Sequence, residues 1–373
     1  MFHVDIPTRA EVRVLATHRS PACVSLSLPT TPLTQDIGAA RTTLRQLVKA
    51  ADAQLEEAGV DKRTRWAVEA QLSHFEDDED FWATQSNGLA IYATPTMNRV
   101  YRLPTHLQAG VEVSDRFHLK PLLRAMSVGQ HAFVLALEEN AIRLVEVFAD
   151  LPPREVKVPG MPKDAATAIG TASLNSRSAS GRIQGDEGQN LRLRQFVRIV
   201  DAALRPVLSG REEPLILAAA DPLRSLFGAA NNYPHLAEQA IETSPAQMSE
   251  ADLDAAARPV LDGLHAARLS DFFSTYSIRE TQGRATADIA QAARAATFGA
   301  VETLLVDIDE VVPGWIDRET GAVTFTEGAD ATTYGIVDEI AARTLGAGGE
   351  VLGVRGSDLP EGASLAAVLR YPV

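Results

Sequence analysis

Two glycine–glutamine pairs sit in one long polar stretch, 172–190: Gln184 with Gly185, and Gly188 with Gln189. Glycine lets a backbone come close to a partner and adopt dihedrals closed to other residues. A glutamine amide can orient a water beside a backbone N–H that faces developing negative charge. The stretch has no apolar periodicity, and a polar run of this length inside a domain reads as a functional loop. The plain alternative is a linker without chemistry. Six arginines lie in and after it, namely Arg177, Arg182, Arg192, Arg194, Arg198 and Arg205, against only Asp186, Glu187 and Asp201. Such a local cationic stripe suits one docking site on RNA phosphates, and its plain alternative is the solvated face of an amphipathic helix.

Other chemistries find little support. The eight histidines show no metal-ligand spacing, so no metal and no cofactor is expected. Glu138 and Glu139 fall in a predicted hairpin turn, whereas a two-metal nuclease needs carboxylates that converge. There is neither a phosphate-binding Gly-x-x-x-x-Gly-Lys loop nor a Gly-x-Ser-x-Gly nucleophile elbow. Gly346-Ala347-Gly348-Gly349 follows a predicted helix and precedes a strand, the place of a helix C-cap.

The elements that must position these residues follow from periodicity. Residues 24–28 read as a strand stopped by Pro29 and Pro32, and 37–57 as a helix with Leu44, Leu47, Val48 and Leu55 on one face. The turn Ser86-Asn87-Gly88 introduces a strand at 89–92. A hairpin is predicted from strands at 131–137 and 142–147. The helix at 191–208 carries Leu193, Phe196, Val197, Val200 and Leu204 on one side, and 215–219 is a short buried strand. Ser249 with Asp252 three residues on forms a capping box for a helix through 264. Beyond it, helices at 287–298 and 336–345 alternate with strands at 301–306, 351–354 and 365–371. This alternation points to an α/β fold. Expected domain bounds are 1–105, 106–243 and 244–373.

Composition sets the outer limits. With 45% apolar and 23% charged residues the chain is folded rather than disordered. Cys23 is the only cysteine, which excludes an intrachain disulfide or cysteine zinc cluster and fits a reducing cytosol. A formal charge of −14 argues against a general nucleic-acid coat protein. The amino end lacks a basic-then-apolar signal layout, and no apolar run reaches bilayer length. A cytoplasmic location with no membrane partner is expected.

Several stretches resemble, in order, the archaeo-eukaryotic peptide-chain release factor and Pelota family. VSLSLPT (24–30) looks like the opening of the family's first domain, and SNGLAIYAT (86–94) like the strand that closes it. FHLKPLL (117–123) resembles the entry to an RNase H-like middle domain. GRIQGDEGQNLRLRQFVRIVDAAL (181–204) is similar to the family's Gly-Gly-Gln loop with its arginine-rich helix, and PLILAAADPL (214–223) to the strand after it. AARAATFGAVETLLVD (292–307) and GASLAAVLRYPV (362–373) resemble the third domain, an α/β layer fold like that of kink-turn-binding ribosomal proteins.

The resemblance implies a ribosome-associated factor that enters the tRNA-accepting A site for peptidyl-tRNA release or ribosome rescue. Two other readings stay open: ribosome hibernation without catalysis, and a stress-associated binding module with no ribosome function. Gly188 and Gln189 match the last two positions of the catalytic loop, with Gln184 and Gly185 as the alternative. Glu187 departs from the first glycine of that loop. A left-handed backbone there would cost roughly 1–2 kcal/mol in a non-glycine residue. Arg182, Arg192, Arg194 and Arg198 are the implied contacts to ribosomal RNA. The family's stop-codon motif is matched only by Lys62 within Val60-Asp61-Lys62-Arg63, which leaves Lys62 and Arg63 as RNA-phosphate contacts without codon reading. The implied partners are ribosomal RNA, peptidyl-tRNA and a translational GTPase.

Overall fold

A computed structural model describes residues 3–33, 36–127, 131–169, 186–307, 310, 312–326 and 335–373. The candidates Arg182, Gln184 and Gly185 lie outside them.

From the amino end, α1 (Arg9–Thr17) leads to β1 (Cys23–Pro29), α2 (Gly38–Glu57), α3 (Lys62–Ser73) and α4 (Glu79–Ala83). Then come β2 (Gly88–Thr94), β3 (Met97–Leu103), β4 (Gly110–Ser114) and α5 (Lys120–Ser127). The four strands form one antiparallel sheet in the order β3-β2-β1-β4. Its side chains alternate between faces, as the strand period of two requires. Val24, Leu26, Leu28, Leu89 and Ile91 pack on one side with α2, which contributes Leu44, Val48, Ala51 and Leu55. Cys23, Ala90 and Tyr92 enter a second core on the other side.

The next segment holds β5 (Ala132–Leu137), β6 (Ile142–Val147), β7 (Arg154–Val156), α6 (Ala165–Ile169), α7 (Asp186–Leu208), β8 (Leu215–Ala218) and α8 (Leu223–Ala230). The predicted hairpin is present, with Ala132 opposite Val147 and Leu137 opposite Ile142. The sheet order is β7-β6-β5-β8, with β8 parallel to β5. Leu236 and Ile241 then bridge to β8 in parallel, so 236–241 lines its outer edge. This α/β arrangement is the one expected of an RNase H-like domain.

The long helix α9 (Glu250–Glu280) begins with the predicted capping box: the Asp252 carboxylate accepts from the Ser249 N–H and hydroxyl, and Ser249 Oγ accepts from the Asp252 N–H. It runs well beyond residue 264, because Leu269, Phe272, Phe273 and Tyr276 give it a further apolar face. The remainder comprises β9 (Ala285–Thr286), α10 (Ile289–Thr297), β10 (Val301–Asp307), β11 (Gly314–Ile316), β12 (Val323–Phe325), α11 (Ile336–Gly346), β13 (Glu350–Val354) and β14 (Leu365–Leu369). A third four-stranded sheet has the order β13-β10-β14-β9, while β11 and β12 form a separate ribbon. The glycines at 346–349 do close a helix. Gly348 takes a left-handed φ of 76°, and Arg370 donates to the carbonyls of Gly299, Ala347 and Gly348 after α10 and α11.

The fold is thus α/β, built on three sheets. Compactness groups them in two: residues 1–128 with 269–373 form one unit, and 129–268 the other. Inside the first unit, one continuous core takes Phe117, Leu119, Leu122 and Leu123 together with Leu304, Val306, Ile340 and Leu365. FHLKPLL therefore belongs to the first unit, held there by four buried apolar side chains. The strand β4 likewise pairs with β1.

Candidate nucleic-acid interface

The arginine-bearing helix α7 begins at Asp186, five residues before the periodic pattern shows itself. Gly188 and Gln189 therefore lie in its first turn instead of in a loop, and Gln189 is exposed. No non-glycine residue among those described has a positive φ, so Glu187 bears no left-handed strain. The first four N–H groups of a helix lack intrahelical acceptors, which gives this end a partial positive charge.

Burial decides the rest of α7. Leu193, Phe196, Val197, Val200, Leu204 and Leu208 are all buried against the sheet. On the opposite side stand Leu191, 61% exposed, with Arg194, Gln195, Arg198 and Ala202. Arg194 and Arg198 are one turn apart, and Arg205 is two turns further on the same face. Among the described residues neither Arg194 nor Arg198 has an ion pair. Arg192 lies to the side and is half-buried.

Arg205 is used differently. Its Nε and one terminal nitrogen reach Asp201 Oδ2 at 3.2 and 2.8 Å. The Asp201 carboxylate is 3% exposed and also accepts from the Asn231 and Asn232 side chains and the Asn232 N–H. That carboxylate fixes the turn after α8 to the middle of α7 and spends Arg205 on the fold.

Lys62 and Arg63 occupy the first turn of α3, in the other compact unit. Asp61 caps this helix by accepting from the Arg63 and Thr64 N–H groups. Both Lys62 and Arg63 are exposed, and the Lys62 ammonium lies 4.8 Å from the ring centroid of exposed Trp66. Arg65, a further cation of this cluster, is tied to Asp52 and Glu56.

A buried cluster that sequence reasoning did not find lies at the start of β5. His131 Nε2 is 2.9 Å from Glu146 Oε1, its ring stacks on Phe148, and Arg154 Nε donates to Glu146 Oε2 at 2.8 Å. Burial alone would raise the Glu146 carboxyl, but His131 and Arg154 outweigh it and hold that group below its usual range. The residues are separated in sequence and no motif announces them.

Among the described residues no group of three His, Cys, Asp or Glu side chains could hold a metal ion. No helix among them is long and apolar enough to cross a membrane.

Residues 129–267 match the family model described as Bacterial archaeo-eukaryotic release factor family 11. The matched segment is less than half of the chain and coincides with the second compact unit, including α7. That segment, and not the chain as a whole, carries the likeness to the archaeo-eukaryotic release factor superfamily. No curated protein matches. Among solved structures the chain is similar to an archaeal translation termination factor, aRF1, at 17% identity, 98% and 99% coverage and a TM-score of 0.25. It is similar to Archaeoglobus fulgidus Pelota at 13% identity, 99% and 94% coverage and a TM-score of 0.30. It is also similar to S. cerevisiae Dom34, a translation termination-like factor, at 11% identity, 76% and 81% coverage and a TM-score of 0.42.

Proposed function

We propose that this protein acts at the ribosome as a factor of the release-factor and Pelota type, entering the A site for peptidyl-tRNA release or ribosome rescue. One observation carries the reading. Inside the family-matched segment, Arg194 and Arg198 stand side by side, exposed, on a helix whose opposite face is locked into the core. Two guanidiniums one turn apart present ten N–H donors to RNA phosphates, with no ion pair to a described residue to compete. The amino end of the same helix, with Gly188 and Gln189, is the part that reaches the peptidyl-tRNA ester. The N–H groups of a helix's first turn, which have no acceptor within the helix, suit an anion there. Arg182 and Arg192 extend the RNA contact, and Lys62 with Arg63 add a second one. A translational GTPase partner and a cytoplasmic location belong to the same proposal.

The test is sedimentation of a cell lysate across a salt series. Co-migration with ribosomes should weaken as salt rises, because phosphate contacts release counterions. The double variant Arg194→Ala/Arg198→Ala should leave ribosomes at lower salt and with a shallower slope. Absence from the ribosome fraction at every salt overturns the reading. Peptidyl-tRNA hydrolysis on stalled ribosomes, compared between wild type and Gln189→Ala, tests the chemistry separately. Equal rates remove release and leave occupancy.

A further inference from the structure

The first and third sheets share a core, and a chain of charged side chains crosses between their layers beside it. One short segment supplies one side: Asp115, Arg116 and His118. Asp115 pairs with Arg318 in the turn between β11 and β12, Arg116 pairs with Glu339, and His118 Nδ1 lies 3.6 Å from Asp338. His118 Nδ1 also faces Glu112 on β4 at 3.3 Å, and Arg116 Nε reaches Asp115 at 2.7 Å. Asp115 and Arg116 thus meet groups of complementary charge, Arg318 and Glu339, on the third layer, and His118 lies beside Asp338.

Glu339 is the centre of this chain. It is 2% exposed, in the first turn of α11. Its Oε2 forms an ion pair with Arg116, and its Oε1 accepts from Arg343 Nε at 2.6 Å, one turn along the helix. The Arg343 guanidinium then donates to Thr297 Oγ1 at 2.5 Å and to the Asp317 and Ile316 carbonyls, both at 3.1 Å. Those carbonyls belong to the end of β11 and its turn. A single buried carboxylate therefore links β4 and its following segment, through two guanidiniums, to the ribbon β11–β12. Two recesses of about 310 and 430 Å³ border Glu339, and Trp315 on the ribbon lines the first.

A buried charge with its partners fixed on both sides has one good arrangement. A displaced partner leaves an uncompensated charge in a low-dielectric site. We propose that Arg343–Glu339–Arg116 is a mechanical relay that makes the β11–β12 ribbon and the 112–118 segment move as one, so that anything bound at the ribbon is felt at the first sheet. The relay lies outside the family-matched segment and stands or falls independently of the ribosomal reading.

Hydrogen exchange by mass spectrometry on the full chain tests it, using Glu339→Gln. The isosteric amide keeps the packing and removes the charge. Exchange at 111–117 and at 314–317 should accelerate together, about tenfold or more, while 48–55 on the far face of the first sheet stays at its wild-type rate. Acceleration on one side alone, on neither side, or equally throughout the first unit overturns the relay. Arg116→Lys keeps the charge but loses the fork that spans Asp115 and Glu339. It should show the same paired change at smaller size, and it carries the test should Glu339→Gln not fold. Glu350→Gln, which breaks the exposed Arg9–Glu350 pair between α1 and β13, is the control. Paired acceleration of the same size in that variant also overturns the relay.

Discussion

Two regions of this molecule are rich in arginine and use it in opposite ways. On α7, Arg194 and Arg198 are exposed, with no ion pair among the described residues, on a helix that its other face already holds in place. Around α11, Arg116 and Arg343 are largely buried, each on the Glu339 carboxylate, with backbone and hydroxyl acceptors for the remaining donors of Arg343. The number of arginines does not separate the two. What separates them is whether the fold has already spent the charge. A guanidinium that the protein has satisfied cannot also serve a phosphate, and one left in water contributes little to stability. Arg205 stands between the extremes, exposed on the α7 face but bound to a buried carboxylate.

The largest effect belongs to the buried region. Arg116→Met removes one partner of a carboxylate that remains inside, which costs about 3–5 kcal/mol. At roughly 2–4 °C per kcal/mol for a unit of this size, calorimetry should find the first unit melting about 6–20 °C lower. The second unit, which has its own core, should keep its transition. A melting temperature within about 2 °C of wild type would mean that the pair is decorative and the contrast with α7 is false.

A smaller effect belongs to the intermediate case. Asp201→Ala strips the acceptor from Asn231, Asn232 and Arg205, and leaving such donors unmatched costs about 1–3 kcal/mol. The same change releases Arg205 onto the Arg194–Arg198 face. The variant should therefore be less stable yet bind RNA with a steeper salt dependence, by about 0.9 in the log–log slope for one added phosphate contact on a duplex. Lower stability with an unchanged slope would show that the face ends at Arg198.

Much of the fold was legible in the sequence for a simple physical reason. Elements with one buried face announce it by period, as Leu193, Phe196, Val197, Val200 and Leu204 do on α7 and Val24, Leu26 and Leu28 do on β1. Elements without that signature were missed. The first turn of α7 is Asp-Glu-Gly-Gln-Asn, which has no apolar residue to set a phase, so the helix seemed to begin at Leu191. The ribbon β11–β12 is only three residues on each strand. The charged crossing from 115–118 to 338–339 spans more than 200 residues, and nothing local in Asp-Arg-Phe-His or Val-Asp-Glu-Ile tells a buried ion pair from a solvated one. The candidate interface is read from the sequence as a stripe of cations, of which Arg194 and Arg198 are exposed on α7. Its composition was legible, whereas the division of labour among Arg192, Arg194, Arg198 and Arg205 needed burial and partners.

The smallest effect is the sharpest test of that division. In Arg194→Ala/Arg198→Ala, two exposed guanidiniums are exchanged for methyl groups on a helix surface, where alanine is the better helix former by a few tenths of a kcal/mol. Like charges one turn apart repel by a similar amount, so their removal offsets the loss of long side chains that cover little. Stability should stay within about 0.5 kcal/mol of wild type, and the second unit's melting temperature should move by less than about 4 °C. Binding to RNA should nevertheless weaken, since each lost phosphate contact lowers the counterion release that drives association. Measured on one preparation, unchanged melting with weakened binding shows charge that the fold has left unspent. A clear fall in melting temperature would instead place these arginines in the same class as Arg116, with acceptors of their own to satisfy.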